Sequence, residues 1–241
     1  MPMGFGKRNT EESDASAALD LRPAPLVGGL AGVLAGKLER LGLFGRTIED
    51  MLCDAYLDQN VIHCETVLAA AAALTGEFAL RATQDLNGQP LQAVDGWVRG
   101  GQVDALLFGN EAYGKPALWT FIKQGGIQAG LIWSQIPHPE SIAMRAERAI
   151  GRSPFPPLTV ASENFPTHWP PNACVRHRAT IRKLAREMEL GNNIEIAIGL
   201  AFAVSFLIVR TRESLSPRIA TRLVAEVMLG VARMEPLHRE V

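Results

Sequence analysis

The sequence predicts a mainly α protein: a multi-helix bundle around a buried apolar helix at 194–209, with a glycine-rich middle region (88–135) that has room for a few short strands. Three observations predict this class. First, Ile194–Val209 is apolar on every side and carries a single charge, Glu195; a helix that is hydrophobic all round must be enclosed. Its sixteen residues reach only ~24 Å at a rise of ~1.5 Å each, short of the ~30 Å hydrocarbon layer, so protein rather than lipid is the expected surround. Second, apolar residues recur at helical spacing in Ile48, Met51, Leu52, Ala55 and Tyr56, in Ile181, Leu184, Ala185 and Met188, and in Ile219, Leu223, Val224, Val227, Met228 and Val231. Third, with 47% hydrophobic and 20% charged residues among 241, the chain has the composition of a compact globular protein.

Taken in order, residues 1–24 are polar, acidic and proline-containing, and read as a mobile tail. Lys7 and Arg8 precede acids instead of an apolar run, which is not the order of a secretory signal. In Leu26–Lys37 the glycines Gly28, Gly32 and Gly36 recur every fourth residue. On a helix they make one bare stripe for close packing or self-association; the alternative is a loop, because glycine costs ~1 kcal/mol per helical position. Leu38–Leu43 extends that helix to Gly45, and Thr47 reads as the N-cap of the next, with Glu49 and Asp50 in its first turn. The pattern loses phase at Asp58–Asn60, where the helix bends or Asn60 caps a new one running to about Arg81.

Glycines then cut residues 87–139 into short pieces; Val103–Phe108 and Gln128–Trp133 read as strands, with a short helix over Pro116–Gln124 between them. Glu140–Ile150 is one more amphipathic helix. Six prolines in 151–173 exclude both helix and central strand there. The segment is either a linker or a surface strap anchored by Phe155, Phe165 and Trp169. It separates an N-terminal region (25–150) from a C-terminal three-helix unit (174–241), which packs independently or joins 25–150 in one domain. In that unit Gly191 reads as the C-cap of a helix over 175–190, Asn192 or Asn193 caps the apolar helix, and Ser216–Pro217 opens the last one.

The charge is unevenly spread. Residues 47–111 hold ten acids against Arg81 and Arg99, a balance of −8, whereas 112–241 hold sixteen Lys and Arg against ten Asp and Glu, a balance of +6. These halves can attract each other within the fold or between copies, or the basic half can meet a polyanion. Arg178, Arg182 and Arg186 sit four apart, with Arg176 and Lys183 beside them, and Arg218 and Arg222 repeat the spacing. Helices bearing such faces would contact nucleic-acid phosphates without reading bases.

Other chemistries find less support. Gly109, Gly114 and Lys115 match the glycine and lysine positions of a phosphate-binding loop, but Pro116 stands where magnesium needs Ser or Thr. His168, Cys174 and His177 supply three ligands where structural zinc wants four. There is no G-x-S-x-G, H-E-x-x-H or G-x-G-x-x-G run. Trp97, Trp119, Trp133 and Trp169 could line a ligand groove or fill the core. With only three cysteines, free thiols and a cytoplasmic location are expected.

The first reading is therefore a non-catalytic, cofactor-free protein-protein interaction, assembly or accessory factor that associates with copies of itself and not with membranes. The second is a nucleic-acid-binding accessory protein. The third is a binder of a phosphorylated small molecule at Gly109–Lys115.

Overall fold

The computed structural model describes residues 36–59, 61–88, 93–94, 96–98, 101–109, 117–149 and 152–238. The tail 1–24, Gly28, Gly32, Gly114 and Lys115 lie outside the described residues. The chain is mainly α, as predicted. In order, the described elements are α1 (Leu38–Ala55), β1 (Leu57–Asp58), β2 (Val61–Ile62), α2 (Cys64–Asn87), β3 (Ala93–Val94), β4 (Trp97–Val98), α3 (Gly101–Phe108), α4 (Leu118–Gln128), α5 (Pro139–Ala149), α6 (Pro170–Glu187), α7 (Asn193–Arg210) and α8 (Pro217–Ala232). The strands form two antiparallel hairpins, β1–β2 and β3–β4.

The apolar helix is α7, and Glu195–Ile208 is buried without interruption. Its main neighbours are α1, α2 and α4. Among the described residues it is the one helix long and apolar enough to cross a membrane, yet 78% of it is buried inside the protein. Its ends are tied by polar groups. The Asn192 side chain accepts the Glu195 N–H at 2.9 Å, and Arg210 pairs with Glu49 at 3.4 Å and Asp50 at 3.2 Å, placing a cation at the negative end of the dipole. The one hydroxyl in its middle, Ser205, donates to the Phe121 carbonyl.

Helices approach closely where glycine removes a side chain. A Cβ on Gly45 would lie 2.8 Å from the Phe202 Cβ, and one on Gly199 would lie 2.4 Å from the Phe44 ring, so α1 and α7 cross at this pair. Gly125 lets α4 reach the Ser205 backbone, and Gly76 lets α2 reach the Met228 carbonyl of α8. The second hub is α2, which packs on α7, α8 and α6. Although α6, α7 and α8 follow one another by short turns, each meets α2 more than it meets the other two. One hydrophobic core runs from Leu41 to Met234.

Several local expectations are corrected. Gly36 is not part of a helix: it has φ +76°, and a Cβ there would meet nothing within 4 Å among the described residues, so it does not continue a helical glycine stripe. Gly45 does not end a helix and Thr47 does not begin one, because α1 runs through both. The Thr47 hydroxyl donates back to the Leu43 carbonyl at 3.0 Å, which satisfies it in mid-helix. After the β1–β2 hairpin, α2 starts at Cys64 and passes Arg81 to end at Asn87, where Gly88 adopts the left-handed conformation. Val103–Phe108 is helical within α3, with Val103 and Leu107 buried one turn apart. Gln128 ends α4, and the following residues form a loop and a 3-10 turn rather than a strand. The prolines at 170 and 171 open α6, where a missing N–H costs nothing. The left-handed residue after α6 is Glu189, φ +55°, not Gly191.

Residues 152–169 lie across α8 and α2. Phe155 fills the space left by Gly230, whose Cβ would fall 2.7 Å from the ring. The Thr159 N–H donates to Glu226 at 2.8 Å, Arg145 reaches the same carboxylate at 3.0 Å, and the Thr167 N–H donates to the Thr66 hydroxyl at 2.9 Å. Of the three expected anchors Phe155 is buried, Trp169 is half-buried and Phe165 is exposed.

The α2–α8 crossing makes a sharp test. A Cβ on Gly76 would fall 2.2 Å from the Met228 carbonyl oxygen, whereas one on Gly42 in α1 meets nothing within 4 Å among the described residues. Gly76→Ala is expected to destabilise by roughly 3 kcal/mol in urea denaturation, at the upper end of overpacking penalties. Gly42→Ala should stabilise by about 0.5–1 kcal/mol through helix propensity.

Candidate functional site

Helix α6 buries Ala173, Cys174, His177, Ile181 and Ala185. Its opposite face presents Arg176, Arg182, Lys183 and Arg186 to solvent. The predicted arginine stripe is thereby split, because Arg178 turns inward. Its Nε donates to Glu77 Oε1 at 2.6 Å and its Nη2 to the Leu237 carbonyl at 2.8 Å. Arg81 donates to the same Glu77 oxygen at 2.6 Å, while Glu77 Oε2 has no partner among the described residues. Arg178 is thus a structural ion-pair residue. Lys183 sits 3.8 Å from Glu187, and the Arg176 guanidinium lies 5.6 Å from the Tyr56 ring. On α8, Arg218 is exposed and Arg222 half-buried. Arg186, Arg218 and Arg222 have no ion-pair partner among the described residues.

A cleft of about 520 Å³ opens where the end of α2, the last turns of α6 and the head of α7 meet. That volume falls in the range of small-molecule sites. Its polar residues include Asp85, Arg182, Arg186 and Asn193, and Leu190 and Ile196 are among its apolar ones. Asp85 is engaged, since it accepts the Asn193 side-chain amide at 2.7 Å. Arg182 lies with its guanidinium 5.8 Å from the Phe78 ring. Partial loss of water, and then the neighbouring Arg81 charge, hold its pKa below the ordinary arginine value. The cleft is therefore a region of surplus positive charge over a partly apolar floor.

The head of α7 is already filled. Glu195 is 3% exposed, and it accepts the Gly191 N–H at 2.7 Å and the Lys37 ammonium at 2.6 Å. Burial pushes its pKa up, but the hydrogen bonds from Lys37, Gly191 and Asn192 outweigh it, so the carboxyl lies below its ordinary value of 4.5. A depressed folded pKa means the ionised carboxylate stabilises the fold at neutral pH. That contribution begins to fade as pH falls below the ordinary value, and it is gone once pH passes below the folded one. Glu195→Gln should therefore be clearly less stable than the natural chain at pH 7, with the gap narrowing steadily toward pH 3. Paired urea titrations across that range measure it.

The other predicted sites do not assemble in the described region. Cys174 is fully buried beside Glu77, and burial followed by that charge pushes its thiol well above the ordinary value. His177 lies 3.2 Å from the Tyr56 hydroxyl, and His168 is exposed with its ring 6.0 Å from that of Tyr56. No group of three or more His, Cys, Asp or Glu among the described residues is placed to hold a metal ion. Gly109 follows a helix, where a phosphate-binding loop follows a strand. Trp97 and Trp119 are core, Trp169 is half-buried, and Trp133 is 68% exposed.

Trp133 belongs to a short 3-10 turn, Trp133–Gln135, preceded by Ile132, itself 63% exposed. The turn is held by the Gln135 side chain, which accepts the Ile132 N–H at 3.1 Å, and by the Lys123 ammonium 4.6 Å from the indole. The spacing of Arg182 and Arg186 was a visible signal in the chain. The pairing of Asp85 with Asn193, 108 residues apart, left none. Comparison with family models, with curated proteins and with solved structures gives no match.

Proposed function

We propose that this protein is a non-catalytic helical binding protein, an assembly or accessory factor that docks protein chains, copies of itself included. The observation that carries this reading is the Ile132–Trp133 turn, where two adjacent large apolar side chains face water on a hydrogen-bonded frame. Fixed tryptophans of this kind anchor interfaces because they bury much area with little loss of side-chain freedom. The separation of acidic and basic halves supports it less than the sequence suggested. Arg178 with Glu77, Arg210 with Glu49 and Asp50, and Arg233 with Asp104 join the two halves inside one chain. Three free thiols, Cys53, Cys64 and Cys174, support a reducing, cytoplasmic setting.

The second reading, nucleic-acid binding, is favoured by the exposure of Arg176, Arg182, Lys183 and Arg186 along α6. Glu187 and Glu189 interrupt that surface.

Light scattering on a sizing column tests the first reading. The natural chain should run above its 26.1 kDa monomer mass in a concentration-dependent way, and Trp133→Ala should weaken association at least tenfold. A natural chain that stays monomeric at every concentration overturns self-association. A DNA mobility shift at ~50 mM salt that vanishes by ~200 mM would instead favour the second reading.

A further inference from the structure

We infer that the cleft between α2, α6 and α7 binds a small phosphorylated molecule, with Arg182 and Arg186 gripping its phosphomonoester group and the apolar floor receiving its organic body. Around Arg182 stand Arg81, Arg178, Glu77 and Asp85, and Arg186 lines the same cleft. The lining itself, Arg182 and Arg186 against Asp85, carries +1, and Arg81 and Arg178 against Glu77 behind it add a second +1. A phosphomonoester carries about −1.5 to −2 near neutral pH, so one such group balances the site, whereas a carboxylate leaves half of the surplus standing. Among the described residues neither carboxylate is hydrogen-bonded to the two cleft arginines: Glu77 accepts from Arg81 and Arg178, and Asp85 accepts from Asn193.

Geometry points the same way. Arg182 and Arg186 are one helical turn apart, so both forks project from one face of α6 into the same space. Three terminal phosphoryl oxygens can meet both forks while sharing only one oxygen between them, whereas a carboxylate has two oxygens to divide between the pair, and Glu77 meets both Arg81 and Arg178 through Oε1 alone. The helix end is not the source of the site, because Glu195 already fills the head of α7. The volume, about 520 Å³, exceeds what an inorganic anion needs, and Leu190 and Ile196 offer the remainder to an apolar or neutral body. A nucleic acid would present a row of single charges to an extended surface, and this is one concentrated pocket of charge.

Calorimetric titration of the full chain with phenyl phosphate, inorganic phosphate, benzoate and a short single-stranded DNA tests the inference. Phenyl phosphate should bind at least tenfold tighter than inorganic phosphate and benzoate. Its affinity should rise severalfold from pH 5.5 to 7.5 as the second phosphate proton leaves. Arg186→Gln and Arg182→Gln should each weaken it at least tenfold, with melting temperature in the absence of ligand unchanged. Trp133→Ala should leave it intact, which separates this site from the docking turn. Equal binding of benzoate, a flat pH profile, tighter binding of the DNA, or undiminished binding by the double Arg→Gln variant overturns the proposal.

Discussion

A helix with no polar face is the constraint on which this fold depends. From Glu195 to Ile208 α7 leaves nothing for water to solvate, so every direction around it has to be supplied with protein. The molecule meets that demand by bringing helices close. Gly45 and Gly199 let α1 touch α7 nearly backbone to backbone, and Gly125 does the same for α4. Dispersion contacts fall off steeply with small gaps, so these bare positions matter more to the core than their lack of side chain suggests. The same logic explains α2, which is buried from Thr66 to Leu80 because α7, α8 and α6 all lean on it.

Buried carboxylates form a second network that ties distant segments together. Glu49, Glu77, Glu195 and Glu226 are each 5% exposed or less. Each meets an arginine or lysine, since an unpaired charge in the interior would be severely penalised. The pairs reach across the chain: Lys37 to Glu195, Arg178 to Glu77, Arg210 to Glu49. They also decide which cations are left facing the cleft. Arg178 is spent on the interior, while Arg182 and Arg186, four and eight residues further on, face the cleft.

The site was partly legible for the same reason. Spacing along one helix is a local property, so Arg182 and Arg186 announced a shared face. Asp85, Asn193 and the floor made by Leu190 and Ile196 come from three elements that only packing brings together. The Ile132–Trp133 turn was hidden differently: a tryptophan in a glycine-rich stretch reads equally as core or surface, and Trp97 and Trp119 took the first course while Trp133 took the second.

What the chain determined by itself was the helical class, the enclosure of α7, the asparagine cap before it and the faces of α6 and α8. Each follows from periodicity or from a hydrogen bond between near neighbours. Tertiary structure decided the rest. Whether Gly45 breaks a helix or admits a neighbour depends on whether Phe202 and Gly199 stand opposite it. Whether Val103–Phe108 coils or extends depends on which partner can bury six residues whose apolar run fits both periods. Whether an arginine faces the cleft or braces the core depends on the carboxylate it meets, and that carboxylate arrives from far along the chain.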